Sequence, residues 1–237
     1  MVNYFVNKVS LESAYVLHSK PYSDTSLLVE LFTKHYGKFT VIAKSARGIK
    51  SRFKGALMPF IPLLVTCSGK SDLKTLQQVE ISGIGVNLKN YNIFNGFYLN
   101  ELLIRLLPSH EACSSVFDIY QNTLSSFTNV HDMEVALRLF EKCLLVNLGY
   151  GLQLDRTYSN EPILAEEQYG FKFGYGFYRS TQEFDAKFSG KSLLALNSGD
   201  LVDKSDLKEV KLLLRRVITI LLGNNKLKSR DFYKPMS

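Results

Sequence analysis

The spacing of the apolar residues changes once along this chain, and that change limits what it can fold into. Up to about residue 82 the apolar residues come in short runs cut by turn chemistry. The runs are Ala14–His18 (ending at Lys20-Pro21), Ser26–Thr33, Lys38–Lys44, Phe60–Ser68 and Leu73–Ile81. His35-Tyr36-Gly37 predicts a hairpin between the second and third, and Gly69-Lys70-Ser71-Asp72 a turn before the fifth. Pro62 marks the fourth as an edge or bulged strand. Five short strands in so little chain predict a small closed barrel. An OB-fold is the leading expectation and an SH3-like barrel the second, since strand number alone does not separate them.

From about Asn92 the spacing becomes helical. Leu99, Leu102, Leu103, Leu106 and Leu107 mark a helix that stops before Pro108. Glu111–Phe127 and Asp132–Leu148 follow, the latter closed by Gly149, a natural residue just past a helix end. Asp203–Leu222 is the last, with Leu207, Val210, Leu214, Val217 and Leu221 as its apolar stripe. Between them, Gly149–Phe188 is rich in Gly and Tyr and predicts a small irregular or hairpin insertion at about 150–188. The expectation is an α+β multi-domain protein. An OB-fold β-barrel spans 1–82 and a mainly α-helical domain spans 83–237.

Charge separates the same two parts. Residues 1–82 hold 11 Lys and Arg against 5 Asp and Glu, and the remainder holds 18 against 17. Seven cations fall between Lys34 and Lys54 with no acidic residue among them, and Tyr36, Phe39 and Phe53 are interleaved. Cations on strands and their loops, with aromatic rings nearby, suit a phosphodiester backbone and unpaired bases. The rival reading is a solvated surface that only aids solubility. In the last helix Lys204, Lys208, Lys211 and Arg215 share a face. That face is either a solvated surface or the basic rim of a groove for an acidic peptide.

Several chemistries lack their residues. Gly69-Lys70-Ser71 and Gly190-Lys191-Ser192 end like a phosphate-binding loop, but Leu64 and Asp185 stand where the first glycine is required. Cys67, Cys113 and Cys143 are odd in number and far apart, unlike a disulfide framework or a zinc site. His18, His35, His110 and His131 show no ligand spacing. No catalytic constellation, metal site or cofactor is expected. MVNYFVNKVS has no long apolar core of a signal peptide, and no apolar run reaches the ~20 residues of a membrane helix. The expected location is the cytoplasm.

An ordered set of segments resembles the RecO family of bacterial DNA repair and recombination mediators. Ala14-Tyr15-Val16-Leu17-His18, Pro21-Tyr22-Ser23-Asp24-Thr25-Ser26-Leu27 and Val41-Ile42-Ala43-Lys44-Ser45-Ala46-Arg47 carry it in the N-terminal part. Lys54-Gly55-Ala56-Leu57, Pro59-Phe60 and Leu73-Lys74-Thr75-Leu76 continue it. Tyr98-Leu99-Asn100-Glu101-Leu102-Leu103, Ala136-Leu137-Arg138, Phe140-Glu141, Leu148-Gly149-Tyr150-Gly151 and Leu227-Lys228-Ser229-Arg230 carry it onward. The resemblance implies an N-terminal OB-fold and a helical domain that bind single- and double-stranded DNA and anneal complementary strands. It implies RecR and the single-stranded DNA-binding protein SSB as partners, help in loading RecA, and a nucleoid-associated location. Many members carry paired cysteines for structural zinc after the Leu-Gly-Tyr segment. Thr157 stands where the first would be, so zinc is expected to be absent. A pocket for the acidic C-terminal tail of SSB is also implied, with Arg138 matching a basic residue there and Lys211 and Arg215 matching less closely.

On this reading the protein is a mediator and not an enzyme. Lys38, Lys44, Arg47, Lys50, Arg52, Lys54, Lys70 and Lys74 are the expected DNA contacts, and Tyr36, Phe39 or Phe53 the expected stacking rings, with at least one of the three expected in the core instead because barrel strands alternate faces. Six neutralised phosphates on a single strand would give a log–log salt slope of about −4. The rival functions are a metal-dependent nucleic-acid enzyme, which needs a carboxylate cluster, and an adaptor whose basic arm meets an acidic protein.

Overall fold

The computed structural model describes residues 7–53, 55–86, 88, 91–127, 130–180 and 187–229, without the side chains of 91, 92, 130 and 131. Five strands, β1 (Lys8–Tyr22), β2 (Ser26–Thr33), β3 (Gly37–Ala43), β4 (Leu63–Ser68) and β5 (Lys74–Ile81), close into a barrel of order β1-β2-β3-β5-β4. All pairings are antiparallel except β3 with β5, where Val41 lies beside Lys74. That parallel closure departs from a simple meander and decides for the OB-fold over an SH3-like barrel.

Strand β1 is longer than its apolar run because it has two partners. Its first half pairs with β4 and its second with β2, with register shifts between Val9 and Glu12 and between Val16 and His18. Pro21 closes the strand opposite Leu27, a terminal position where a missing N–H is tolerated. Side chains alternate across the barrel wall. Ala14, Val16, Val29, Leu31, Phe39, Val41 and Ala43 point inward and form the barrel core with Leu63, Val65, Cys67 and Leu76. Burial there pushes the Cys67 thiol up to about 12, so it remains a neutral core group.

Tyr15 and Phe32 are also buried, but on the outside of the wall. Helices α1 (Tyr91–Leu106) and α2 (Ser114–Ser125) belong to the same compact unit as the barrel. Tyr15 and Phe32 both meet Phe117 and Tyr120 of α2, with ring centroids 5.1–6.1 Å apart. The Tyr120 hydroxyl donates to Asn100 Oδ1 (2.7 Å), and Asn100 Nδ2 donates to the Leu17 carbonyl (2.9 Å). Gly37 starts β3 at φ +67°, and a Cβ there would fall 2.0 Å from the Glu111 carbonyl oxygen. Only glycine lets the β2–β3 turn approach the α1–α2 connection so closely.

The chain from Leu227 returns to this first unit. Glu101 holds it by accepting from the backbone N–H groups of Lys228 (3.0 Å) and Ser229 (2.8 Å), with Arg105 paired at 2.9 Å.

The second unit is Ser126–Lys226. It contains α3 (Val130–Asn147), a sheet of β6 (Gln168–Lys172), β7 (Gly176–Arg179) and β8 (Phe188–Ser189), then α4 (Gly190–Ser198) and α5 (Lys204–Leu222). The hairpin expected in the Gly- and Tyr-rich insertion is β6–β7. Helix α4 has no sequence counterpart among the expectations. Its start is the Gly190-Lys191-Ser192 segment, where Ser189 caps the helix by accepting from Ser192 N–H and Ser192 Oγ donates to Asp206 (3.0 Å). The period of the residues changes near 82, whereas compaction groups α1 and α2 with the barrel. Among the described residues no helix is long and apolar enough to cross a membrane.

Burial pushes the Glu101 carboxyl upward, but the bonds from Ser229, Lys228 and Arg105 outweigh it and hold the group below the usual carboxylate range. A depressed folded pKa stabilises above the unfolded value and is lost as pH falls through the folded one. Protection of the Lys228 and Ser229 amides, taken relative to their intrinsic exchange rates, is therefore expected to fall as pH drops through the Glu101 titration. Glu101→Gln should reproduce that loosening at neutral pH, at a cost of about 1–3 kcal/mol in urea unfolding.

Candidate nucleic-acid interface

The loop after β3 carries the densest positive charge, and its backbone is tied at both ends. Arg47 N–H bonds the Thr25 carbonyl in the β1–β2 turn at 2.8 Å, and Arg47 Nη1 makes a long 3.5 Å contact to the Ser23 carbonyl. Gly48 N–H bonds Ser45 O (3.2 Å), and Ser51 N–H bonds Gly48 O (3.0 Å). At the far end Phe53 plugs into the barrel core, with its N–H on Ser51 Oγ at 3.1 Å. Between these anchors Lys44, Arg47, Lys50 and Arg52 are exposed, and Ile49 is 94% exposed among them. The Arg52 guanidinium lies 4.8 Å from the Phe53 ring centroid. The sequence makes the loop cationic, and the buried Phe53 makes it stay in place.

Two expected contacts are corrected. Lys38 is only 6% exposed: its ammonium donates to the Ile104 carbonyl in the last turn of α1 and pairs with Glu30 at 3.6 Å. A cation is favoured at a helix C-terminus, and Lys38 is placed there. Burial lowers its pKa, with Glu30 opposing. Lys74 is 3% exposed and donates to Ser71 O at 3.3 Å. Neither ammonium is available to a phosphate. Lys70 is exposed but stands apart from the loop. Because β5 runs parallel to β3 from Lys74 beside Val41, the turn before it lies toward the start of β3, while Lys44 leaves from the end. Lys54 lies outside the described residues.

Of the three aromatic rings, at least one of them expected in the core, two are there. Phe39 and Phe53 are core residues of the barrel, and Tyr36 is half-buried against that core. Tyr22, in contrast, is exposed on the β1–β2 turn that anchors Arg47. Sequence reasoning passed over it because it sits outside the basic run. The signal that could have found it is the Pro-Tyr-Ser-Asp turn itself.

Comparison with known proteins agrees with this architecture. The model for the N-terminal part of recombination protein O matches residues 9–84, and the model for its C-terminal part matches 92–231. The chain belongs to the RecO family. It is 46% identical over 227 residues to the DNA repair protein RecO of Coxiella burnetii, covering 94% of this chain and 97% of that one. It is 43% identical over 232 residues to that of Methylococcus capsulatus (98% and 96%). Against that of Actinobacillus succinogenes it is 40% identical over 225 residues (94% and 95%).

In this RecO chain the zinc-loop position is built without thiolates. Thr157 is buried, and its hydroxyl accepts from Glu161 N–H (3.1 Å) and shares a bond with Ser159 Oγ (3.0 Å). Thr157 N–H bonds the Glu161 carbonyl, and Ile163 N–H bonds that of Asp155. The Thr157 hydroxyl and these backbone bonds together close the turn. The residues present do not fit a cysteine-bound zinc. Among the described residues no group of three or more His, Cys, Asp or Glu could hold a metal ion.

The three residues matched to the SSB-tail pocket lie in the second unit. Arg138 on α3 is buried and paired through Nη1 with the fully buried Glu141 at 3.0 Å. Lys211 and Arg215 are exposed on α5, and Lys211 reaches Glu134 of α3 at 3.1 Å, one helical turn before Arg138.

The two kinds of lysine predict opposite behaviour. Lys38→Ala leaves a buried helix-end carbonyl and Glu30 without their partner, and should cost about 1–3 kcal/mol in urea unfolding. Lys50→Ala, on a solvated loop, should stay within about 0.5 kcal/mol of the parent.

Proposed function

We propose that this protein is a DNA repair and recombination mediator. It binds single- and double-stranded DNA, anneals complementary strands and, with RecR, helps load RecA onto SSB-coated DNA at the bacterial nucleoid. The observation that carries this reading is the anchored cationic loop. Lys44, Arg47, Lys50 and Arg52 project from a backbone tied to the β1–β2 turn and plugged into the barrel by Phe53. A loop already held in shape loses little conformational freedom on binding. Membership in a family whose relatives bear the name DNA repair protein supports the same reading.

The mechanism needs no catalytic group. Two complementary strands repel through their phosphates, and annealing is fast once that repulsion is screened and the strands are held side by side. Four exposed cations on one loop supply the screening, Lys70 adds a more distant charge, and Lys54 falls within the same run. Phosphate contacts are indifferent to sequence and to strandedness, which suits a protein that must act on any broken chromosome.

The SSB tail, acidic and apolar, is assigned to Arg138, Lys211 and Arg215. Glu141 pairs with Arg138 through an Nη1–Oε2 ion contact at 3.0 Å, and a guanidinium carries five donors. Arg138 is buried, so the exposed Lys211 and Arg215 would meet the tail carboxylate, with Arg138 adding positive charge from below the surface. Lys211 would exchange Glu134 for the tail, and Arg215, four residues on, extends the same face.

The test is annealing of two labelled complementary oligonucleotides without nucleotide, with and without an SSB coat. Acceleration on both is expected. With four loop cations rather than six contacts, the single-strand salt slope should be about −3. Replacing Arg47, Lys50 and Arg52 together by Ala should flatten the slope toward about −1 and remove the acceleration. Arg215→Ala should weaken only the SSB-dependent part. A salt-independent affinity, or DNA cleavage with Mg²⁺ that survives purification, would sink the reading.

A further inference from the structure

The β6–β7 hairpin carries an open cleft of about 540 Å³ that the barrel loop does not explain. Tyr158, Tyr175 and Tyr178 line it, with Lys172, Arg179 and Glu161. Tyr158 and Tyr175 are 66% and 68% exposed, a large aromatic area to leave in water.

The backbone that carries these rings is fixed. Tyr158 N–H bonds the Phe177 carbonyl at 2.8 Å, which docks its loop on the hairpin. A Cβ on Gly176 would stand 3.8 Å from Tyr158 Cβ, so Tyr158 sits beside the residue that follows Tyr175. Tyr178 lies flat across β6: it faces Gly170 in register, and a Cβ on Gly170 would fall 2.4 Å from its ring. Any larger residue at 170 would lift Tyr178 out of position. The Lys172 ammonium lies 4.2 Å from the Tyr175 ring centroid.

The charges around these rings nearly cancel. Arg179 is held between Glu161 (3.6 Å) and Glu167 (3.3 Å). Lys172 is the second cation, so two cations face two carboxylates and no charge is left over. Such a surface lacks the excess positive charge that would draw an acidic peptide or a cluster of phosphates. It offers exposed ring faces, one beside the Lys172 ammonium, which fits flat heteroaromatic rings joined by single phosphates. The bases of a duplex have their faces stacked on one another and cannot use it.

We propose that this cleft stacks unpaired bases of single-stranded nucleic acid on Tyr158, Tyr175 and Tyr178. It thereby adds a preference for single strands that phosphate contacts alone do not provide. The inference rests on the nucleic-acid reading of the barrel loop, to which it adds base contacts and the release of each base as it finds its complement.

The test uses the full chain and three probes of equal length: oligo-dT, an abasic strand with the same phosphates, and a duplex. The double variant Tyr158→Ala/Tyr175→Ala should lose oligo-dT affinity by about thirtyfold or more. Its affinity for the abasic strand and the duplex should be unchanged. Tyr158→Phe/Tyr175→Phe keeps the ring faces and should bind oligo-dT as the parent does. Both sites are exposed, and an unchanged thermal melt checks that the fold is intact. Equal oligo-dT binding by parent and Ala variant overturns the proposal while leaving the barrel reading untouched. So does an equal loss on all three probes. Unchanged oligo-dT binding with lost capture of an acidic peptide would also overturn it and assign the cleft to a peptide. Failure of the parent to bind any probe overturns the barrel reading and this inference together.

Discussion

The contact on which the first unit depends is the packing of Tyr15 and Phe32 against Phe117 and Tyr120. A five-stranded barrel of this size fills its inside with the inward residues of each strand. The outward residues of β1 and β2 are apolar too, so that wall must be covered. The four rings cover it, each edge-on or tilted pair adding about 0.5–1.5 kcal/mol beyond the area removed from water. Burial pushes the Tyr15 phenol up to about 12 and that of Tyr120 well above its ordinary value, so both stay neutral. The hydrogen-bond chain from Tyr120 through Asn100 to the Leu17 carbonyl fixes the angle at which the helices meet the strand. Gly37 and the Glu111 carbonyl leave no room for a different fit.

Covering that wall also sorts the cations. Lys38 lies on the covered side and becomes the cap of α1, part of the scaffold. Lys44, Arg47, Lys50 and Arg52 follow β3 out into the loop and keep their charge in water. One run of basic residues is thus divided into a structural member and a set available to phosphates. Its aromatic residues are not all alike either: Phe53 pins the loop from inside the barrel.

The second unit shows a similar economy of means. Thr157 closes its loop with a hydroxyl and two backbone bonds. The loop then presents Tyr158 on the hairpin surface. Helix α5 is held against its own unit by an apolar stripe, and its Lys211 and Arg215 face outward.

The sequence by itself determined the order and kind of the elements. Alternating apolar residues between turn signals located β2 to within its observed ends, and β3, β4 and β5 within about three residues. Helical spacing located α3 and α5 as closely, because an amphipathic stripe can be read without knowing what covers it. Strand β1 was read short, because its length comes from pairing with two different strands, which no local pattern contains. Helix α4 was missed because its start reads as loop chemistry and its capping partners, Asp206 and Glu209, lie on α5. The charge of the site was legible, since composition and spacing carry it. Which cations face water was not. Lys38 and Lys44 look alike in sequence, and only the helix packed over one of them decides between scaffold and site. Phe39 and Phe53 were open between core and surface for the same reason: the side a residue faces follows from register and closure, and both are properties of the assembled barrel.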